Sequence, residues 1–264
     1  MINGKAIYEP KGKAGEYAKY SCNFYVGCSN GCTYCYLKKP PLNKACGGNV
    51  PTLKKCFKDE NHAVGVFEKE LKMNLLELQR HGLFFSFTTD PMFPSTINLT
   101  KRAILSAARA DIYVKILTKL VEWVDNWIER MHTDWIKFIS VGFTLTGHDE
   151  LEPNASTNAE RIAAMKKLHD AGFKTWASIE PVIDFESSWK MISQTLEFCD
   201  LYKIGLESGR KYDEVLLYKW VRLISRKFEN KKFYFKDSLL RQAGYNREDL
   251  PYNCVGRDYD MFNN

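Results

Sequence analysis

Short apolar runs rich in β-branched and aromatic residues recur along the chain, and each is followed by a segment with helical periodicity. Such runs are typical of buried strands. Their starts lie 23 to 38 residues apart, which is close to the length of a strand and a returning helix. The predicted strands cover residues 83–88, 112–118, 135–145, 173–179, 201–206 and 232–236. An earlier run, 22–26, is a plausible opening strand.

Two of the intervening segments carry clear helix signals. Thr157 and Glu160 are spaced as a capping box, in which each side chain binds the backbone N–H of the other residue. Gly172 closes that helical pattern with a typical C-terminal signal. The other segment carries one apolar stripe on a predicted helix that Gly82 ends. The stripe consists of Phe67, Leu71, Leu75 and Leu78.

Alternating strands and helices predict an α/β fold with mainly parallel strands and helices outside them. Six repeats and a seventh strand fall short of the eight units that close a TIM barrel, so we expect a partial barrel with its chemistry at the C-terminal strand ends. No low-complexity run or Gly/Ser linker divides the chain. We therefore expect a single domain over residues 1–264, with a core at about 20–240 and an extension at each end.

Composition narrows the class of protein only a little. With 45% hydrophobic and 27% charged residues the chain is an ordinary globular one, and its formal net charge of +6 permits a nucleic-acid partner without requiring it. Neither a long apolar run nor the apolar core of a signal peptide occurs, so we expect a cytoplasmic protein without a membrane span. Its eight cysteines are then expected to be reduced.

Three of those cysteines form the most specific feature of the sequence. Cys28, Cys32 and Cys35 are spaced Cys-x3-Cys-x2-Cys after the first predicted strand, and thiolates at this spacing can hold one soft metal centre. A structural zinc ion normally takes four protein ligands, so it would need Cys22, Cys46 or a histidine in addition. A [4Fe–4S] cluster bound by three thiolates keeps one iron open for a substrate.

The motif, with the aromatic Tyr34 before its last cysteine, resembles the signature of the radical S-adenosylmethionine (radical SAM) enzymes. Residues 7–12, 23–28 and 32–36 are similar to the spore-photoproduct-lyase-like branch of that superfamily. The resemblance implies a partial (βα)6-type barrel, a [4Fe–4S] cluster on the three cysteines, and S-adenosylmethionine as the second cofactor. Tyr34 is then expected to contribute to the cofactor site.

The resemblance also assigns roles at the other strand ends. Thr89 and Asp90 match the segment that receives the methionyl ammonium, although Asp90 would also stabilise a turn without any ligand. Lys119 matches a lysine that contacts the methionine carboxylate, and Thr144 a hydroxyl position beside the ribose. Glu180 is a candidate for the ribose hydroxyls. Position alone suggests three further residues for the same mouth: Asp184, Glu207 and Lys236. The imidazole of His148 could serve the substrate or proton transfer, and an exposed loop histidine without such a role is the alternative.

Two further residues bear on the reaction. Cys46 lies in a Gly-rich segment and is a candidate, on position alone, for the thiol that returns a hydrogen atom to a product radical. Lyases of this branch that repair a thymine lesion carry a hydrogen-donating cysteine beside the second-strand motif, where this chain has Phe87-Thr88-Thr89-Asp90. Repair of spore photoproduct is therefore not expected.

The sequence thus predicts a radical SAM enzyme that reductively cleaves S-adenosylmethionine and abstracts hydrogen from an unidentified substrate. A nucleic-acid base is the leading substrate class, and a peptide or protein is the alternative. The expected reductant is a flavodoxin or a ferredoxin. A non-catalytic cysteine-rich metal-binding module is the alternative of a different class.

Overall fold

The computed structural model describes residues 2–262, which form one large sheet, one small sheet and ten α-helices. The strands are β1 (Ile7–Tyr8), β2 (Ser21–Cys22), β3 (Tyr25–Val26), β4 (Thr52–Leu53), β5 (Leu83–Phe85), β6 (Val114–Thr118), β7 (Ile139–Thr144), β8 (Lys174–Val182), β9 (Leu201–Leu206) and β10 (Lys232–Phe235). The helices are α1 (Asn43–Cys46), α2 (Glu60–Met73), α3 (Leu75–His81), α4 (Ile97–Ala108), α5 (Val124–Arg130), α6 (Thr133–Ile136), α7 (Asn158–Asp170), α8 (Phe185–Thr195), α9 (Glu214–Lys227) and α10 (Asp237–Gln242).

The large sheet has the strand order β1-β2-β5-β6-β7-β8-β9-β10. Neighbours among seven of these strands pair in parallel: β2, β5, β6, β7, β8, β9 and β10. Strand β1 adds to the edge of β2 in the antiparallel direction. Each step from one parallel strand to the next passes through at least one helix. The predicted partial α/β barrel with mainly parallel strands is confirmed.

The opening strand is shorter than the run 22–26 predicts. The chain leaves the large sheet at Asn23, whose amide donates to the hydroxyl of Tyr8 (2.6 Å) and accepts from the backbone N–H of Phe87 (2.8 Å). The next apolar pair, Tyr25–Val26, is β3 and pairs with β4 instead. At this point the side-chain hydrogen bonds of the buried Asn23 take the place of backbone hydrogen bonds between strands.

The apolar run 135–145 and the stripe 67–78 are each interrupted. Trp135 belongs to the short helix α6, so β7 begins only at Ile139. Asn74 leaves the helical conformation with φ −120° and its side-chain amide donates to the carbonyl of Glu70, which separates α2 from α3. An asparagine that competes for backbone groups in this way is a common helix terminator. The stripe still packs against the core.

Local signals set the other boundaries as expected. The capping box of Thr157 and Glu160 begins α7, with both reciprocal hydrogen bonds present. Gly82 and Gly172 follow α3 and α7 with φ of +70° and +92°, which residues with a Cβ rarely adopt.

Two layers of apolar side chains stabilise the barrel. The larger core lies between the strands and the helices, and a smaller cluster fills the barrel interior around Phe84, Trp176 and Tyr234. Gly142 lies opposite Trp176 in this interior, and a Cβ there would overlap the indole. The barrel therefore has room for the large indole because β7 carries a glycine at this point.

Segments outside the strands close both ends of this interior. Tyr17, in the segment between β1 and β2, packs edge-on against Phe87 and tilted against Phe84. At the other end, Met261 joins the interior cluster and Phe262 stacks on Tyr113 at 4.3 Å. No helix among residues 2–262 is long and apolar enough to cross a membrane.

The packing of Gly142 against Trp176 predicts opposite effects for two glycine-to-alanine substitutions. Gly142→Ala should lower the free energy of unfolding by about 1–3 kcal/mol or more, because the added methyl group overpacks the interior. Gly65→Ala is the matched control, since a Cβ at this exposed helical glycine meets no neighbour within 4 Å and should add about 0.5–1 kcal/mol. Urea unfolding followed by circular dichroism measures both, and equal midpoints would contradict this packing.

Candidate functional site

A cavity of about 280 Å³ opens at the C-terminal ends of the strands. The end of every parallel strand from β5 to β10, the motif loop 28–35 and the segment before β2 contribute to its wall. The predicted site residues that line it are Cys28, Cys32, Tyr34, Cys35, Thr89, Asp90, Lys119, Thr144, Glu180, Glu207 and Lys236. The fold therefore brings nearly all of the candidates from distant parts of the sequence to one place.

The loop that carries the three cysteines depends on glycine conformations at two positions. Gly27 and Gly31 have φ of +83° and +71°, and a Cβ at Gly27 would lie 2.5 Å from the carbonyl oxygen of Val50. The N–H of Cys28 donates to the carbonyl of Gly48 at 2.9 Å. The segment after the motif thus packs directly against its first cysteine.

The segment after β7 supports the other side of the motif loop. Thr33 donates its N–H to the carbonyl of Leu151 at 3.0 Å. Asn154 donates its side-chain amide to the carbonyl of Ser29 (2.9 Å) and its N–H to that of Asn30 (3.2 Å). These bonds hold the backbone of a loop that has no regular structure of its own.

A buried ion pair anchors the aromatic residue of the motif, and sequence reasoning missed it. The hydroxyl of Tyr34 donates to Glu152, whose other oxygen pairs with Arg161 at 2.5 Å. The side chains of Glu152 and Arg161 are fully buried. Arg161 also donates to the carbonyls of Ser156 (2.8 Å) and Thr144 (2.6 Å), so one guanidinium joins α7 to the end of β7.

The thiols lie in a largely dry environment with one cation nearby. Burial, with the charge of Asp90, raises the pKa of Cys28 to about 11, and burial raises the pKa of Cys32 against the opposing effect of Lys119. Burial disfavours the charged form of Lys119, but Cys32 and Glu152 raise its pKa above the usual value. Lys119 is therefore the positive charge beside the motif loop, and its Nζ lies 5.8 Å from the ring centre of Tyr34.

The donor set fits a [4Fe–4S] cluster. All three thiols face the cavity. Within residues 2–262, no three or more His, Cys, Asp or Glu side chains converge on a point that could hold one metal ion. A cubane does not require such convergence, since each thiolate binds a different iron.

Asp90 is a structural centre of the cavity wall. Its Oδ1 accepts from the hydroxyl of Thr118 (2.7 Å) and the N–H of Met92 (3.1 Å). Its Oδ2 accepts from the N–H of Lys119 (2.9 Å) and the amide of Asn30 (3.0 Å). One carboxylate thus joins the motif loop to the ends of β5 and β6, and four protein donors already occupy it.

Two buried polar atoms in the wall have no hydrogen-bond partner among the described residues: Oδ1 of Asn30 and Oγ1 of Thr89. The amide of Asn30 is oriented by its bond to Asp90, so the unpaired atom is the oxygen. An unpaired buried polar atom costs roughly 1–3 kcal/mol, and such atoms typically mark a ligand or ordered water. Oδ1 of Asn30, a residue that sequence reasoning did not select, is therefore an acceptor that remains available in the cavity wall.

Glu180 forms a small polar cluster with residues from two other segments, the one before β2 and the one after β10. The register of β8 with β9 shifts after Ile179, and Glu180 lies in this irregular end of the strand. Its Oε2 accepts from the hydroxyl of Tyr17 at 2.5 Å and pairs with Lys236 at 2.6 Å. Burial and then the charge of Glu180 raise the pKa of Tyr17 well above the usual value, so the phenol stays protonated and donates.

Cys46 faces a different space from the one that its suggested role requires. It lines a second, much smaller cavity on the other side of the motif loop, together with Cys28, Cys32 and Cys35, and is not among the residues that line the larger cavity.

His148 and Asp184 are likewise outside the lining of the larger cavity. They bond to each other at 2.6 Å, and the other ring nitrogen of His148 lies 2.7 Å from Glu150. Asp184 also caps the N-terminus of α8. His148 and Asp184 therefore join the segment after β7 to the segment after β8.

Comparison with known proteins places this geometry in a family. The model of the radical SAM superfamily matches residues 22–199. An uncharacterized protein of Methanocaldococcus jannaschii is 28% identical over 214 residues, with 75% of each chain covered.

Solved structures of spore photoproduct lyase have the same fold. Two of them, a double mutant with bound S-adenosylmethionine and dinucleoside spore photoproduct and the lyase complexed with dinucleoside spore photoproduct, have TM-scores of 0.58 and 0.59 at 18% identity. They cover 81% and 85% of this chain, which spans 62% and 64% of theirs. The structure of Streptococcus suis SuiB bound to S-adenosylmethionine has a TM-score of 0.51 at 12% identity, over 82% of this chain and 47% of that one.

The fold predicted from the resemblance to the spore-photoproduct-lyase-like branch is thus confirmed. The cysteine motif, its place at the C-terminal strand ends and the family match over residues 22–199 lead to one conclusion. The chain belongs to the radical SAM superfamily, whose enzymes use a [4Fe–4S] cluster and S-adenosylmethionine as cofactors.

Proposed function

We propose that the larger cavity is the active site in which S-adenosylmethionine is cleaved and hydrogen is abstracted from a substrate that enters at the barrel mouth. The observation that carries this proposal is the shared wall of one cavity, in which three cysteines lie with two unpaired buried polar atoms and the amine of Lys119. We also propose that residues 1–264 act as one domain.

Cys28, Cys32 and Cys35 would hold the cluster. When bound and reduced, the cluster supplies the electron that splits the sulfonium of S-adenosylmethionine into methionine and a 5′-deoxyadenosyl radical. The chain's own part is to bind, to orient and to exclude water. Tyr34 fixes one side of the motif loop through Glu152, so the cysteines keep their positions relative to the strand ends.

Asn30 and Lys119 are suited to the two charged groups of the methionyl moiety. The unpaired Oδ1 of Asn30 would accept from the ammonium, and Asp90 would act by orienting that amide and by adding negative charge behind it. Lys119, which is cationic, would bind the carboxylate. The unpaired hydroxyl of Thr89 offers a further polar contact in the same wall.

The ribose and the adenine would lie farther along the cavity. Thr144 ends β7 with its side chain in the wall, and we assign it to the ribose as the resemblance implies. Oε1 of Glu180 takes no hydrogen bond from the protein in the described part of the chain, so it can accept from a hydroxyl. Phe87 and Leu117 give the cavity an apolar surface that suits a flat ring.

We propose a nucleic-acid base as the substrate and a flavodoxin or ferredoxin as the electron donor in a reducing cytoplasm. Structures of spore photoproduct lyase hold a dinucleoside lesion, which supports this substrate class. By the resemblance, lesion-repairing lyases carry a hydrogen-donating cysteine beside the second-strand motif, where this chain has Phe87-Thr88-Thr89-Asp90, and Phe87 stacks on Phe84 at 4.4 Å. The reaction is therefore expected to differ from repair of spore photoproduct.

The proposed cluster ligands predict the loss of one activity in three single variants. Cys28→Ala, Cys32→Ala and Cys35→Ala should each abolish formation of 5′-deoxyadenosine from S-adenosylmethionine and dithionite after anaerobic reconstitution, because each removes one of three ligands. Absorption and electron paramagnetic resonance spectra of the same samples should show loss of the cluster. Cys56→Ala, which lines neither cavity, is the matched control and should retain both.

Retained cleavage in any of the three variants would contradict the assignment. A protein that binds zinc, or that binds iron and sulfide without cleaving S-adenosylmethionine, would favour the metal-binding module instead.

The unpaired amide oxygen predicts a specific loss of cofactor affinity. Asn30→Ala should raise the Kd for S-adenosylmethionine by about 10- to 100-fold, since a hydrogen bond to a charged group contributes roughly 1.5–3 kcal/mol. Calorimetric titration of the reconstituted protein measures this change, and the spectrum of the cluster should be unaltered in the absence of the cofactor. The same substitution at the remote, exposed Asn61 is the control, and equal affinities in both variants would remove Asn30 from the site.

A further inference from the structure

Three exposed segments border one side of the cavity mouth, and each contributes cations. They are residues 10–14 before β2, residues 36–44 after the cysteine motif and residues 207–211 after β9. We call their cations the basic rim. The basic rim consists of Lys11, Lys13, Lys38, Lys39, Lys44, Arg210 and Lys211.

The three segments together carry a net charge equal to that of the whole chain. The three segments contain seven cations and one carboxylate, Glu207, a net of six positive charges. The formal net charge of the entire protein is also +6, so the remaining residues carry equal numbers of positive and negative side chains. The modest charge of the whole chain is thus concentrated in the three segments that carry the basic rim.

Contacts between the segments hold these cations together. Nζ of Lys13 donates to the hydroxyl of Ser208 at 3.1 Å, and Nζ of Lys39 donates to the carbonyl of the same residue at 3.4 Å. Lys39 also pairs with Glu207 at 3.7 Å. The three segments therefore form one surface, although they are far apart in the sequence.

The segments that follow β7 and β8 have the opposite sign. They carry Asp149, Glu150, Asp184 and, in the first turn of α8, Glu186. His148 binds two of these carboxylates, and the other two acidic side chains lie at the surface. A polyanion would be attracted to the basic rim and repelled from these carboxylates.

The basic rim is continuous with the cavity. Lys13 and Ser208 line the cavity, and so does Tyr36, which is 44% exposed and belongs to the same segment as Lys38 and Lys39. Positive charge along a track with an aromatic ring beside it is the combination with which proteins bind single-stranded nucleic acid. A base inside a duplex is stacked and out of reach of a recessed site, so it has to be unpaired or flipped out.

We propose that the basic rim binds the phosphodiester backbone of a single strand and thereby presents one base to the cavity. This inference rests on the proposed function, because it takes the cavity to be the place of reaction. It adds the surface, the strandedness and the side of the mouth from which the substrate approaches.

Fluorescence anisotropy of a labelled 20-residue oligothymidylate with the reconstituted protein tests this inference over a series of salt concentrations. The test variant is Lys11→Ala/Lys44→Ala/Lys211→Ala, which removes one exposed cation from each segment. The control variant is Lys69→Ala/Lys72→Ala/Lys227→Ala, which removes the same charge from the exposed surfaces of α2 and α9. Neither variant changes a residue that lines the cavity.

The test variant should bind at least about tenfold more weakly near 0.1 M salt, and its slope of log K against log salt should be shallower by about 2, since each phosphate contact on a single strand contributes about 0.7. The control should match the unaltered protein. Duplex of the same length and polyglutamate should both bind more weakly than the single strand.

Equal weakening in both variants, or polyglutamate binding as tight as the oligonucleotide, would overturn the inference. Formation of 5′-deoxyadenosine in the same preparations reports separately on the proposed function, because that reaction is measured without substrate.

Discussion

The geometry of the site depends on one fully buried ion pair, between Glu152 and Arg161. Two charges in the protein interior are tolerated only when each is paired and hydrogen-bonded, and loss of one partner typically costs about 3–5 kcal/mol. Here the carboxylate accepts from Tyr34 of the motif loop, and the guanidinium donates to the carbonyl of Thr144 at the end of β7. Loss of either charge would therefore disturb the cysteine loop and the end of β7 together. The ion pair thus fixes the positions of these two segments in addition to stabilising them.

Asp90 has the same role on the other side of the motif loop. Its four hydrogen bonds join the loop to the ends of β5 and β6. The bond to Asn30 orients the amide of that residue and leaves its Oδ1 as the unpaired atom that the cofactor would bind. Such a carboxylate acts on a ligand mainly through the groups that it positions. The resemblance to the family assigns the ammonium to the segment of Asp90, whereas we propose the direct contact for Asn30, because its Oδ1 has no partner among the described residues.

The sequence was sufficient where a feature is local and insufficient where it depends on distant partners. The cysteine spacing and the capping box of Thr157 are properties of short segments, and the capping box is present as predicted. The break at Asn74 and the departure of the chain at Asn23 were missed, because an asparagine ends an element only when its amide finds a backbone or side-chain partner. Glu152 gave no signal at all, since its partners are 9 and 118 residues away.

The charges inside the barrel connect its core to the mouth. Lys203 is buried near Lys115 on β6 and Lys236 after β10, and burial together with these two charges lowers its pKa well below the usual value. Its amine donates to the carbonyls of Glu16 (3.0 Å) and Tyr17 (2.9 Å). The segment before β2 is thereby fixed from within the barrel. This segment brings the phenol of Tyr17 to Glu180 and the first two cations of the basic rim to the mouth, so one interior lysine shapes both the floor of the cavity and its entrance.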